Sequence, residues 1–282
     1  MTSGTPVGKE KAAAALANLS SNNADNKVAI VKEGGLKPLI ALLTSGTPVG
    51  KEKAAGALWN LSANNADNKV AIVKEGGLTP LIALLTSGTP VAKENAAAAL
   101  QSLSVNADNQ VAIAKEGGLK PLIALLTSGT PVAKERAAGA LWKLSRNADN
   151  KVAIAKEGGL KPLIALLTSG TPVGKEKAAA ALANLSANAD NKVAIVKEGG
   201  LKPLIALLTS GTPVGKEKAA AALQNLSANA DNKVAIAKEG GLEPLIALQK
   251  NGTPVAKEKA AAALQNLSVN ADIKAAIARA GG

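Results

Sequence analysis

The side chains that most often carry enzyme chemistry are missing from this chain or repeat unchanged along it. Its 282 residues include no histidine and no cysteine. The commonest general base, the thiol nucleophile and the usual transition-metal ligands are therefore absent. Carboxylates remain, but they recur at the same place in each copy of an internal repeat, which a single active site does not require. We predict a non-enzymatic protein with no catalytic residue, no metal site and no cofactor.

The remaining candidates for binding chemistry are basic, amide and indole side chains. The chain has a formal net charge of +12, and it contains two tryptophans but no tyrosine or phenylalanine. In residues 5–43, five lysines stand against three acidic residues. The basicity is therefore spread along the chain and favours acidic partners through electrostatic attraction.

The elements that position these side chains come from an internal repeat. The phrase Thr-Pro-Val-x-Lys-Glu begins at Thr5, Thr47, Thr89, Thr130, Thr171, Thr212 and Thr253. The spacing is 42 residues twice and then 41 residues four times. A fixed period of this length is the signature of a solenoid, in which each unit stacks on its neighbours. No run approaches the ~18 apolar residues of a membrane helix.

Each unit is predicted to contain three helices. Asp25 is expected to cap a short first helix over residues 26–32, which ends at a Gly-Gly pair. A second helix is predicted over residues 36–43. Thr47 is expected to cap a longer third helix that begins with proline and runs to about Ser62. Valine and isoleucine follow helical spacing, so no strand is predicted.

These features together resemble the armadillo repeat. The segments Ala-Leu-Ala-Asn-Leu-Ser (residues 15–20) and Lys-Glu-Gly-Gly-Leu-Lys-Pro-Leu-Ile-Ala-Leu-Leu (residues 32–43) are similar to those of plant-type armadillo proteins. HEAT repeats, with two helices and no such Gly-rich turn, are the weaker match. The resemblance implies an all-α, right-handed α-solenoid of about seven three-helix repeats. We expect a single domain over residues 1–282, with units beginning near residues 2, 44, 86, 127, 168, 209 and 250.

The near-identity of the units indicates either recent duplication or an engineered, consensus-like origin, and we favour the latter because regular repeats are readily designed. No signal peptide opens the chain, so we do not expect secretion. A natural protein of this kind would be cytoplasmic or nuclear.

The resemblance also implies where a ligand binds. In armadillo proteins the third helices line a concave groove that holds an extended peptide, and an asparagine near the end of each third helix binds the peptide backbone. An amide suits this role because it offers both a donor and an acceptor. The equivalent residues are Asn18, Asn60, Ser102, Lys143, Asn184, Asn225 and Asn266.

An alternative interpretation is that these asparagines satisfy backbone groups near a helix end. The replacement by Lys143 argues against it, because a buried structural amide is not readily exchanged for a charged amine.

The units differ mainly on one face of the third helix. Counted from the asparagine position, the differences fall at offsets −7, −4, −1, 0 and +3, which share a helical face. We call these five offsets the variable stripe. In armadillo proteins this face contacts the peptide, so the stripe is the predicted binding site. Besides the asparagine positions, the predicted site includes Trp59, Gln101, Arg136, Trp142 and Gln224.

Both tryptophans occupy offset −1 and follow a glycine three residues earlier, Gly56 or Gly139. Because helical side chains lean toward the N-terminus, we expect these glycines to clear space for the indoles. Each indole would then form the wall of a side-chain pocket. Simple filling of the core is the alternative.

The expected partner is an extended peptide or a disordered protein segment. Offset −7 carries Lys, Asn or Arg, which favours acidic or neutral peptides, although lysines that merely cover alanine with their stems fit equally well. The alternative function is a basic solenoid that binds nucleic acid or another polyanion. Evenly spread charge and the lack of Phe and Tyr predict only nonspecific nucleic-acid binding.

Two further expectations concern partners. No membrane partner is expected. The N-terminal unit carries no adapted residues, which allows end-to-end self-association, whereas the last unit has altered residues at 249–251 and in its final helix. A scaffold without any selected ligand also fits the sequence.

Overall fold

In a computed structural model, which describes residues 4–281, every regular element is an α-helix. The described range holds three classes of helix in the predicted order. The third helices are Pro6–Ser20 (α1), Pro48–Ser62 (α4), Pro90–Leu103 (α7), Pro131–Leu144 (α10), Pro172–Leu185 (α13), Pro213–Leu226 (α16) and Pro254–Leu267 (α19). The first helices are Ala24–Lys32 (α2), Ala66–Lys74 (α5), Ala107–Lys115 (α8), Ala148–Lys156 (α11), Ala189–Lys197 (α14), Ala230–Lys238 (α17) and Ala271–Arg279 (α20). The second helices are Leu36–Ser45 (α3), Leu78–Ser87 (α6), Leu119–Ser128 (α9), Leu160–Ser169 (α12), Leu201–Ser210 (α15) and Leu242–Asn251 (α18).

The helices form two compact units, Met1–Asn150 and Lys151–Gly282. In the first unit, α1 packs on α4, α4 on α7 and α7 on α10, while each second helix packs on the third helix that follows it. The second unit repeats this arrangement, with α13 packed on α16 and α16 on α19. Each unit is thus built from stacked third helices. A single domain over residues 1–282 stays a prediction.

The buried apolar side chains of the third helices are mainly alanines and leucines. In α4, Ala54, Ala55 and Ala57 are completely buried, and so are Leu58 and Leu61. Small alanines let neighbouring third helices approach closely, while leucines fill the remaining space between them. The alanine-rich sequence of the third helix is therefore required by its packing on both sides.

The repeated phrase couples neighbouring repeats through its threonine and its glutamate. The hydroxyl of Thr89 accepts a hydrogen bond from the backbone N–H of Ala92 at 3.2 Å and so caps α7. The same hydroxyl donates to Glu52 of α4 at 2.5 Å. Equivalent donor–acceptor pairs are Thr47–Glu10, Thr130–Glu94, Thr212–Glu176 and Thr253–Glu217. Each third helix thus uses its threonine to cap its own N-terminus and its glutamate to accept a hydrogen bond from the threonine of the next repeat, so both residues recur.

A buried asparagine in the first helix provides a second link between repeats. The side chain of Asn109 donates to the backbone oxygen of Leu103 at 3.1 Å and to that of Lys69, in the preceding first helix, at 3.3 Å. The same pattern of two acceptors is found for Asn68, Asn150, Asn191 and Asn232. In α20, Ile273 takes this position.

The change of spacing from 42 to 41 residues is located in one turn. Asn22 and Asn64 have φ values of 54° and 57°, in the left-handed region that asparagine tolerates better than most residues. Their third helices, α1 and α4, are 15 residues long, whereas α7 has 14. The extra residue of the first two repeats is thus absorbed where the third helix meets the next first helix.

Two predicted helix boundaries were wrong. The cap of α2 is Asn23, whose side chain accepts from the N–H of Asn26 at 2.9 Å, so Asp25 lies inside the first turn. The second helix α3 continues through Ser45, because its backbone hydrogen bonds continue to the N–H of Gly46, which donates to the carbonyl of Leu42 at 3.0 Å. The third helix Pro48–Ser62, capped by Thr47, is confirmed.

The two ends of the described range differ from the interior. Leu19 of α1 is 53% exposed, whereas the equivalent Leu61 of α4 is completely buried. At the other end, the ammonium group of Lys250 donates to the backbone oxygen of Gly281 at 2.5 Å. End-to-end association through the exposed face of α1 stays a prediction.

Over residues 4–281, no single helix is both long enough and apolar enough to cross a membrane. Two consecutive helices, Ala66–Lys74 and Leu78–Ser87, are together long enough and apolar enough. This holds by length and composition only, and the two helices meet at a bend of 82°.

Candidate functional site

The variable stripe lines an open pocket in the first unit, with a volume of about 270 Å³. Eight of the nine lining residues occupy stripe offsets of α1, α4 or α7, and the ninth, Glu52, adjoins the stripe. The lining residues are Ala14, Ala17, Asn18, Glu52, Lys53, Gly56, Trp59, Asn60 and Asn95. Three predicted site residues, Asn18, Trp59 and Asn60, therefore meet in one concave place.

The asparagines of the third helices bridge neighbouring helices. The side-chain N–H of Asn60 donates to the backbone oxygen of Ala17 at 2.9 Å. Asn225 donates to Ala183 at 2.8 Å, and Asn266 donates to Gln224 at 3.1 Å. In each case the acceptor lies at offset −1 of the preceding third helix. The interpretation that these amides satisfy backbone groups is therefore correct for one hydrogen of each, and the side-chain nitrogens of Asn225 and Asn266 also donate to the hydroxyls of Ser186 and Ser227 at 3.3 and 3.2 Å.

These amides retain further hydrogen-bonding capacity. The side-chain oxygens of Asn60, Asn225 and Asn266 receive no hydrogen bond from any described residue, and all three side chains are only half-buried. Asn18 is exposed, while Ser102, Lys143 and Asn184 are half-buried at the same offset.

Both tryptophans are half-buried and carry a cation of the stripe on their rings. The guanidinium carbon of Arg136 lies 4.7 Å from the centre of the Trp59 ring. The ammonium nitrogen of Lys143 lies 3.7 Å from the centre of the Trp142 ring. Both distances fall within the range of cation–π attraction. Four predicted site residues are thus paired as two indole–cation contacts.

The expected role of the two glycines was wrong. A Cβ atom at Gly139 would lie 2.6 Å from the amide nitrogen of Gln101, and one at Gly56 would lie 3.3 Å from that of Asn95. Each glycine therefore makes room for a polar side chain of a neighbouring third helix. Side chains of the stripe reach diagonally from one third helix to the next, and this diagonal contact is not evident from offsets within one helix.

Six of the nine pocket residues were not named as site residues from the sequence, and three of these six, Glu52, Lys53 and Asn95, have polar side chains. Asn95 and Lys53 lie at offset −7, so their variation did mark them as members of the stripe. Asn95 also donates to the backbone oxygen of Glu52 at 3.0 Å. Glu52 belongs to the repeated phrase and does not vary, so comparison of the repeats could not reveal it.

A larger cavity in the second unit, of about 420 Å³, lies away from the stripe. It is formed by α15, α16, α18 and the start of α19, with Pro213, Lys216 and Leu248 among its lining residues. None of the residues that line it occupies a stripe offset. Within residues 4–281, no group of three acidic side chains could hold a metal ion.

Comparison with protein families identifies the repeats. The family model of the armadillo/beta-catenin-like repeat matches residues 23–63, 65–105, 106–146, 147–187, 188–228 and 229–269. The chain belongs to the armadillo repeat family. The predicted resemblance and fold class are therefore confirmed, with six matched repeats preceded by the third helix α1 and followed by the first helix α20. No curated protein sequence matches the chain.

Solved structures of engineered armadillo-like proteins share this fold. The crystal structure of one engineered protein superposes with a TM-score of 0.79 at 32% identity, covering 83% of this chain and 97% of that chain. Computationally designed armadillo repeat proteins for modular peptide recognition match with a TM-score of 0.77 at 26% identity, covering 82% and 99%. A designed armadillo repeat protein in complex with the peptide (KR)4 matches with a TM-score of 0.75 at 23% identity, covering 82% and 99%.

Proposed function

We propose that this armadillo protein binds an extended peptide, or a disordered segment of another protein, along the variable stripe of its third helices. The observation that carries this proposal is the pocket around Trp59. Eight of its nine lining residues lie at the offsets that change between otherwise nearly identical repeats, so the variable positions of the sequence form the concave surface. An indole wall with amides beside it is typical of a site that takes one side chain and the adjoining backbone.

The asparagines supply contacts to the peptide backbone. Asn60 donates one amide hydrogen to the backbone oxygen of Ala17, and this bond fixes the orientation of its side chain. Its oxygen and second hydrogen remain for a peptide group, which needs one acceptor and one donor. Packed helices lie about 8–10 Å apart, and an extended dipeptide spans roughly 7 Å. One residue at the asparagine position of each third helix, which is Ser102 in α7 and Lys143 in α10, could therefore serve two residues of a peptide.

The relatives support binding of this kind. A neighbour that shares 26% identity was designed for modular peptide recognition. The designed and importin-like repeats that bind basic peptides, which this chain resembles, tend to place an acidic residue at offset −7. Here offset −7 carries Lys11, Lys53, Asn95 and Arg136 in the first unit. We therefore propose that its peptides are acidic or neutral.

Intrinsic fluorescence provides the test, because all of it comes from Trp59 and Trp142. A library of extended peptides should contain members that quench or shift this emission with saturable titration curves. Trp59→Gln, which introduces the residue that Gln101 supplies in the next repeat, should weaken such a peptide about tenfold. A peptide that binds tightly while both indoles remain unperturbed would place the binding site elsewhere.

A further inference from the structure

Arg136 and Trp59 form a contact that crosses an intervening helix. Trp59 belongs to α4 and Arg136 to α10, with α7 packed between these two helices. The contact of 4.7 Å follows the same diagonal that brings Gln101 against Gly139 and Asn95 against Gly56. On this diagonal α7 carries Ala98, whose small side chain leaves the path open. The indole thus holds a guanidinium in the stripe of the first unit.

The charge of Arg136 has no anionic partner within the described residues. The guanidinium makes neither a hydrogen bond nor an ion pair there, although the residue is half-buried. Arginine remains protonated throughout the accessible pH range and presents five N–H donors in one plane. The glutamates Glu52 and Glu94, which lie at offset −8 of α4 and α7, accept hydrogen bonds from threonine hydroxyls. A fixed cation with unused donors therefore faces the stripe.

The two indole–cation contacts also limit what else can bind. An indole face in a peptide groove could attract a lysine or arginine of the peptide. Here Arg136 lies over Trp59 and Lys143 lies over Trp142, so a basic peptide would meet like charge at both rings. A carboxylate would instead be attracted, and a guanidinium fork matches its two oxygens.

We propose that Arg136, positioned by Trp59, forms a subsite that binds a carboxylate of the peptide. This inference rests on the proposed function and deepens it, because it names the group that the stripe of the first unit recognises. An acidic side chain and a chain terminus both supply this carboxylate, since each presents the same two oxygens to the guanidinium. Trp59 is the positioning residue, and Arg136 makes the contact.

Isothermal titration of the full chain with three alternating decapeptides tests the subsite. Two are acetylated and amidated, one of Glu-Ala and one of Gln-Ala, and the third is Gln-Ala with a free carboxyl end. We expect the Glu-Ala peptide to bind about tenfold more tightly than the amidated Gln-Ala peptide, as one charge-assisted hydrogen bond would give. If the third peptide binds as tightly as the Glu-Ala peptide, the subsite is also supported, and a chain terminus serves as a source of the carboxylate as well as an acidic side chain.

Matched variants separate this contact from general attraction to a basic protein. Arg136→Gln and Lys120→Thr remove the same charge, but Lys120 is exposed on the second helix α9, and the equivalent residue of α6 is already Thr79. Arg136→Gln should abolish the preference for the Glu-Ala peptide, while Lys120→Thr should leave it unchanged. Trp59→Gln should reduce the preference although it keeps every charge. Arg136→Lys, with the residue found at this offset in five other repeats, provides a variant expected to fold.

Three results would overturn the subsite. A preference for Glu-Ala that persists in Arg136→Gln would show that the net charge of the protein attracts the peptide. Equal binding of all three peptides would refute the subsite and leave the peptide groove intact. Failure of these peptides and of the wider library to bind would refute the groove as well.

Discussion

Two buried lysines lie close together in neighbouring first helices. Lys27 is 7% exposed and Lys69 is 8% exposed. The ammonium group of Lys27 donates to the backbone oxygen of Ala63 at 2.7 Å, but that of Lys69 has only a long contact of 3.4 Å to Asn65. Burial lowers the pKa of Lys69 below its usual value of 10.5, and the nearby charge of Lys27 lowers it further. In the third repeat the equivalent residue is Gln110, which carries no charge.

Lys69→Gln should stabilise the protein at neutral pH by up to about 1 kcal/mol, because it removes a poorly solvated charge. Since the pKa of Lys69 is lowered in the folded state, the unfolded chain binds more protons between that pKa and 10.5. The stability of the unmodified protein should therefore rise with pH in this window. Chemical denaturation at neutral and alkaline pH measures both effects.

The variant should lose this alkaline rise, so its advantage should shrink as the pH approaches 10.5. Lys37→Gln, at an exposed site on α3, serves as the control and should change the stability little. An advantage of Lys69→Gln that does not depend on pH would show that the charge is not its cause.

At the scale of the element, the short first helices depend on the links made by their asparagines. A helix of 9 residues is marginal by itself, so α8 must be held by packing and by hydrogen bonds to its neighbours. Asn109 provides two such bonds from a buried position. Asn26 of α2 makes a single bond, to Leu19, near the surface.

Asn109→Ala should therefore destabilise the protein by about 2 kcal/mol, since it removes two hydrogen bonds that a buried side chain makes to two neighbouring helices. Asn26→Ala, the same substitution at the equivalent site, should cost less than about 1 kcal/mol because water can replace its single bond. Urea denaturation of both variants compares them directly. Equal costs would show that the bond between repeats contributes nothing.

The elements themselves could be predicted because their signals are local. Thr47 followed by proline indicates the start of α4, and a Gly-Gly pair separates the first helix from the second. The true cap Asn23 was missed because Asp25, two residues later, is an equally good capping residue. The extended backbone of Asn23, with φ −121° and ψ 107°, makes it the cap, and the equivalent Asn106 caps α8 in the same way.

The composition of the stripe could be predicted, but its contacts could not. Repeat comparison identified Trp59 and Arg136 as members of one face. The two residues are 77 positions apart in the sequence (136 − 59). Their contact depends on the stacking of α7 between their helices. The bonds of Asn60 and the crowding at Gly139 likewise involve the preceding third helix.

At the scale of the whole molecule, stability comes from stacking between neighbours, because no repeat has a core of its own. A leucine at the same repeat position therefore contributes differently to the free energy of unfolding in different repeats. Leu61 is covered on both sides of α4, whereas Leu19 of α1 is 53% exposed. The environment of a residue is set by its place in the array as well as by the sequence around it.

Leu61→Ala should cost about 2–5 kcal/mol, the range for removing a buried leucine side chain. Leu19→Ala should cost roughly 0.5 kcal/mol or less, as expected for an exposed site. Thermal and urea denaturation give both values. Similar costs at the two sites would mean that Leu19 is also buried in solution, for instance by association of α1 with a second copy.

The most direct test of the central claim is to map where a bound peptide lies. Library peptides that perturb the indole fluorescence would be resynthesised with a photoreactive side chain, crosslinked to the full chain and located by mass spectrometry. We predict that crosslinks will fall on the variable stripe of the third helices, including the pocket of Asn18, Trp59 and Asn60. Crosslinks concentrated on the first and second helices would contradict the account.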